Sequence, residues 1–168
     1  MFHTGIEELK PKDLEQMDAT PLSLLPRNFQ YYAGGHIHAV SQHAVEGYGP
    51  ITYPGPLFPC NIKELEKLGK GGFYIVEDNE IRWHPIQIYT TYPILIDAHH
   101  KTPQQVTEEI LIVVKDKEFI NTIITLRVEG TLSVGKPSDI DFKELFTQMY
   151  AQGAYYVMKN TAKLTTKE

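Results

Sequence analysis

The chain has 168 residues, 42% of them hydrophobic, with 16 Lys plus Arg against 21 Asp plus Glu for a formal charge of -5. That length allows one domain with a full core or two small ones, and the acidic balance lacks the broad basic footprint of a nonspecific nucleic-acid binder. No apolar run reaches the roughly 18 residues of a membrane span, no secretory pattern is visible after Met1, and a single cysteine, Cys60, excludes an internal disulfide; the expectation is a cytoplasmic protein with no membrane association.

Met1-Phe2-His3-Thr4-Gly5-Ile6 reads as the end of a strand running into a turn. Residues 11–17 open with Pro11 and have room for one or two helical turns, since proline at the first position loses nothing by its missing N–H. Residues 20–27, holding Pro21 and Pro26, read as loop. An aromatic strand is expected over 29–33, leading into Ala33-Gly34-Gly35-His36-Ile37-His38. In extended backbone two histidines one residue apart project to the same side, which makes a chelating pair. The glycines ahead of them remove the Cβ atoms that oppose a sharp bend or a close approach. By itself His-x-His fits two imidazoles in a surface turn better than a metal site.

Residues 42–46 and 51–53 read as short strands joined through Gly47-Tyr48-Gly49-Pro50 into a hairpin. The proline-rich run Tyr53-Pro54-Gly55-Pro56-Leu57-Phe58-Pro59 is expected as a rigid loop suited to the rim of a site. A helix over 62–68 stops at Gly69. Strands at 73–77 and 81–86 flank Asp78-Asn79 as a second tight hairpin. Beyond residue 89 the pattern changes. A strand at 92–97 precedes Thr102-Pro103-Gln104-Gln105, which has the residues of a capping box and predicts a helix to about residue 115. A long strand over 119–129 places Ile120, Thr122, Ile124, Leu126 and Val128 on one face. Ser138-Asp139-Ile140-Asp141 caps a second helix with Phe142, Leu145, Phe146 and Met149 as its apolar face, ending at Gly153. A third strand covers 154–158, and 160–168 reads as a fraying tail. This β-α-β-α-β order makes a complete small α/β unit. The expected fold class is therefore mixed α/β (α+β), divided into residues 1–88 and 89–168. The cations split seven and nine between those parts, against eleven and ten acidic residues, so neither part is basic.

Phe2-His3-Thr4-Gly5, Tyr32-Ala33-Gly34-Gly35-His36-Ile37-His38, Ile51-Thr52-Tyr53-Pro54-Gly55 and Gly72-Phe73-Tyr74-Ile75-Val76, in that order, resemble the C-terminal half of the DNA double-strand-break repair nucleases. This is the Mre-eleven family of archaea and eukaryotes, SbcD in bacteria, within the calcineurin-like metallophosphoesterases. The resemblance spans nearly the whole chain. It implies that 1–88 is part of a metallophosphoesterase β-sandwich and that 89–168 is the family's DNA-capping domain. It further implies manganese, two ions in a complete site, with His3 and His36 on one ion and His38 on the other. Neutral imidazoles suit divalent metals, and paired ions polarise a phosphodiester and generate a hydroxide nucleophile. Thr4 and Pro56 stand where the family often has glutamine and serine, so the family's polar contacts do not carry over to them.

The family's remaining ligands, an Asp-x-His, a bridging Asp and an Asn-His, fall ahead of the region that matches. The expectation is accordingly a fragment, an internal-start product or one piece of a split enzyme, inactive as a nuclease by itself. The implied partners are DNA ends and, through the full-length protein, a coiled-coil ABC-type repair ATPase and a second copy of the nuclease. In the capping region Lys101, Lys115, Lys117 and Arg127 are the candidate phosphate contacts, provided they share a face. His43 and His84 read as structural or surface residues, and His99-His100-Lys101 as an exposed loop. Two other classes of function remain open at this point: a calcineurin-like phosphatase of small phosphoesters, and a non-enzymatic fragment that binds DNA or a partner.

Overall fold

A computed structural model describes residues 1–167 and every side chain among them except that of Asp13. The architecture is mixed α/β, with three α-helices and several small sheets. The chain divides into two compact units. One comprises Met1–Cys60 and Lys70–Ile86; the other takes Asn61–Gly69 together with everything from Gln87 on. The helix over 62–68 thus groups with the second unit, whereas the sequence places it in the first.

The first unit is built on a four-stranded sheet of order β1-β4-β6-β5. Here β1 is Phe2–His3, β4 is Tyr32–Gly35, β5 is Val40–His43 and β6 is Ile51–Pro54. Strands β1, β4 and β6 are parallel and β5 is antiparallel to β6. Between β1 and β4 the chain makes 3-10 turns and a two-stranded ladder of β2 (Gly5–Ile6) with β3 (Ala19–Thr20). The expected aromatic strand over 29–33 is displaced toward its glycines: Phe29 is 58% exposed, while Gly34 is buried inside β4. A Cβ on Gly34 would stand 2.7 Å from the Tyr53 ring and 2.8 Å from that of Phe2, so this inner strand, between β1 and β6, has to be glycine there. The hairpin of β5 and β6 forms as expected, with its first strand two residues earlier than the alternation suggests. Strands β7 (Gly71–Glu77) and β8 (Glu80–Ile86) turn through Asp78 and Asn79, both in left-handed backbone (φ 49° and 65°) as a two-residue hairpin loop requires. The buried apolar cluster is small: Ile6, Leu22, Tyr32, Ile37, Ile51 and Tyr53.

The second unit has β9 (Thr90–Asp97), α2 (Pro103–Val114), β10 (Thr122–Leu132), α3 (Phe142–Ala151) and β11 (Tyr156–Asn160) in chain order, the β-α-β-α-β series expected. The capping box at Thr102 is complete: the Gln105 amide donates to Thr102 Oγ1 at 3.2 Å and the Thr102 amide to Gln105 Oε1 at 2.9 Å. Asp141 caps α3, accepting from the Glu144 amide at 2.9 Å. All strand pairs are parallel, with β10 central. Thr122, Ile124, Leu126 and Val128 are buried on the face that meets Val106, Ile110, Leu145 and Met149 of the helices. Ile120 alone departs from the expected stripe. It precedes β10 and is exposed. Helix α1 (Ile62–Leu68), capped by Asn61 and stopped by left-handed Gly69, lies on the opposite face. Its Glu66 reaches Arg127 there, and Thr91 Oγ1 donates to the Gly69 carbonyl at 3.3 Å.

The end of the chain corrects the sequence reading. Instead of fraying, Leu164–Thr166 forms β12, parallel to Gly130–Leu132 at the far end of β10, with Leu164 only 7% exposed. A polar segment forms this strand because β10 is longer than β11 and leaves backbone groups to pair. Leu164→Ala should lower the stability of this unit by about 2 kcal/mol, the low end for truncating a buried leucine. Urea unfolding would measure this, and a frayed tail would leave the midpoint unchanged.

Candidate metal centre

Because β1, β4 and β6 are parallel, they end at one edge of their sheet. His3, Gly35-His36 and Pro54-Gly55 therefore lie together there, as sites do at the carboxyl ends of parallel strands. His3 pairs in register with Gly35. A Cβ on Gly35 would stand 2.7 Å from His3 Nδ1, so glycine is what lets the ring lie over the strand. The chain then bends at His36, whose φ of 82° is left-handed. The two rings meet edge-on, with centroids 5.4 Å apart and planes at 66°.

His36 and His38 are both exposed and flank Ile37, which is buried in the core. Thus the alternation foreseen for His-x-His holds in exposure, but the backbone at its first histidine is not extended. It is the left-handed residue that carries His36 to His3. The structure brings these two imidazoles together. Among the described residues no group of three or more His, Cys, Asp or Glu is arranged to hold a metal ion. As donors, neutral imidazoles fit a divalent metal, and two of them meet at this edge.

The surroundings fix the His3 strand from below. Tyr53 is fully buried on β6, packs edge-on against Phe2 (5.7 Å, 86°) and donates its hydroxyl to the Thr4 carbonyl at 3.1 Å. Nothing local in the sequence signals that the Tyr53 hydroxyl holds the residue next to His3. Burial pushes this phenol up to about 12. The proline-rich loop after β6 is tied in place, with Trp83 Nε1 donating to the Pro54 carbonyl at 3.1 Å and Gly55 in left-handed backbone. His43 bonds Ser41 Oγ at 3.0 Å and is held below the usual imidazole range by burial; His84 stacks on Phe73 at 5.8 Å. Both behave as structural residues.

The four candidate phosphate contacts of the second unit do not form one cluster. Arg127 grips Glu66 with two nitrogens, at 2.7 and 3.3 Å, and also reaches Glu129 at 3.4 Å. Lys101 pairs with Glu109. Lys115 and Lys117 are exposed beyond the other end of α2, where Lys117 lies 5.5 Å from the centre of the Tyr92 ring. Helix α2 separates Lys101 from that pair by about 20 Å of helical rise. The shared basic face expected of these residues is absent, because two of the four cations are matched by carboxylates.

No known protein-family model matches the chain.

Two outcomes test the support of the pair. Above pH 10 the unfolded chain releases the Tyr53 proton while the folded one holds it to about 12, so the first unit should lose stability as pH rises through that window. Tyr53→Phe should remove this component, at a cost of about 1 kcal/mol at neutral pH for the lost hydrogen bond. Unfolding followed by the fluorescence of Trp83, the sole tryptophan, measures both. Gly35→Ala should displace His3 and abolish the ring contact with His36, seen as changed imidazole shifts by NMR.

Proposed function

We propose that these residues are the C-terminal part of a manganese-dependent DNA repair nuclease of the Mre-eleven/SbcD type, hydrolysing phosphodiesters at double-strand-break ends. In this reading the first unit belongs to the metallophosphoesterase domain and the second corresponds to the DNA-capping domain. The observation that carries it is the meeting of His3 with His36 at one sheet edge, the place where the order of the four motifs requires ligands to converge.

His3 and His36 would hold one ion through imidazole nitrogens and His38 would contribute to the other. Bound manganese supplies electrophilic activation of the phosphodiester and a hydroxide nucleophile at neutral pH. What the chain's own residues do is positional. Gly35 leaves room for the His3 ring, buried Ile37 anchors the histidine turn, and Tyr53 ties the strand end through Thr4. The carboxylates that complete the pocket come from polypeptide outside these residues. DNA ends are the substrate, with Lys115 and Lys117 the candidates left to meet phosphate. A coiled-coil ABC-type ATPase and a second nuclease copy are partners of the whole protein.

A non-enzymatic role as a binding fragment is the second reading, favoured by the lack of a three-donor group among the described residues. The test is to supply the missing half as a separate polypeptide and assay linear duplex DNA with manganese. The expected result is degradation that needs both polypeptides and is lost in His36→Ala. Degradation by this chain alone, abolished by His38→Ala, would overturn the division of the ligands. A reconstituted pair that binds metal by calorimetry but cleaves only nucleotide monoesters would favour a small-phosphoester phosphatase, and one that binds no metal would favour the fragment reading.

A further inference from the structure

In the second unit β9 ends at Asp97, in register with Glu129 of β10, which runs on to Leu132. The loop that follows carries His99, His100 and Lys101 from the carboxyl end of β9 to the start of α2. Asp97 Oδ1 accepts the His99 backbone N–H at 2.9 Å and lies 2.7 Å from His99 Nδ1. An ionised carboxylate only accepts. The proton of a neutral His99 ring is therefore on Nδ1 and its lone pair on Nε2, in a side chain 57% exposed.

Gly130 sits against this dyad with φ of 112°, where a Cβ would stand 2.5 Å from His99 Nδ1 and 3.0 Å from Asp97 Oδ1. His100, in left-handed backbone (φ 61°), places its ring centroid 6.2 Å from that of His99. Nearby charges are matched: Lys101 with Glu109, and Glu129 with Arg127 and Lys163. Imidazoles that ligate metals pass their other N–H to a carboxylate, which fixes the tautomer and strengthens the donor. The Asp97–His99 pair has that arrangement.

We propose that His99 and His100 bind one divalent transition-metal ion of the zinc, nickel or copper class, with Asp97 as the residue that orients His99. Two imidazoles select such ions over calcium or magnesium, and water completes the coordination. The proposal is independent of the nuclease reading, since it uses none of the same residues.

The test is a Zn2+ titration of the full chain carrying His3→Ala and His36→Ala, which removes the first unit's pair, followed by NMR of the imidazole nitrogens. The expected result is a joint shift of the His99 and His100 rings. His99→Gln should abolish the shift at His100, and Asp97→Asn should weaken binding about 10–100-fold with the backbone spectrum retained. Rings that stay unshifted, or an equal His100 response in His99→Gln, would overturn it. So would unchanged affinity in a folded Asp97→Asn variant. Should Asp97→Asn unfold the unit, the exposed substitutions His99→Gln and His100→Gln decide the matter alone.

Discussion

The candidate centre of the first unit depends on two neighbouring positions in β4 that carry no Cβ. At Gly34 a side chain would collide with Phe2 and Tyr53, and at Gly35 with the His3 ring. Glycine inside a strand costs about 0.5–1 kcal/mol relative to alanine through lost backbone freedom. Here that cost accompanies the burial of Tyr53 under the strand and the parallel register that brings His3 level with Gly35. The meeting of His3 and His36 is thus a consequence of packing. It needs the bare strand, the left-handed bend at His36 and the buried anchor Ile37, and it needs them together.

What the sequence made legible is what neighbouring residues determine. Thr102 and Gln105 cap each other three residues apart, and Asn61, Asp141 and Gly69 mark helix ends, so the helices lie where periodicity and capping place them. Asp78 and Asn79 announce their hairpin for the same reason. Pairing between distant segments is another matter. Strand β12 exists because β10 has backbone to offer thirty-four residues away, as the Thr131–Thr165 hydroxyl pair shows. Arg127 looks like a cation available to phosphate until Glu66, sixty-one residues earlier, is found beside it. At the histidine cluster, resemblance placed His3 next to His36, whereas strand periodicity misjudged how His36 gets there.

The two units differ in how much core they own. Among the described residues the second buries seventeen apolar side chains in one cluster and the first buries six. Below a certain size a hydrophobic core no longer offsets chain entropy, and the first unit also exposes Met1, Leu24 and Phe29 near the start of its sheet. Open strand edges on the unit with the smaller core are the features that invite self-association.

Electrostatics limits what the histidines can do unaided. Two unit charges 4 Å apart interact by about 1 kcal/mol in water and about 4 kcal/mol at an effective dielectric of 20. Two dications at that spacing repel four times as strongly, by about 4 to 16 kcal/mol, and a neutral imidazole supplies no charge to offset it. A bridging carboxylate does. No described Asp or Glu joins the imidazoles of His3 and His36 in a metal-competent group. Two closely spaced dications at that edge would need carboxylates beside the imidazoles to offset this repulsion. The Asp97–His99 pair places a carboxylate behind an imidazole, where it strengthens one donor and does nothing to bridge two ions. The two histidine clusters thus differ in their surroundings: a carboxylate stands behind His99, whereas the His3 ring lies over a glycine.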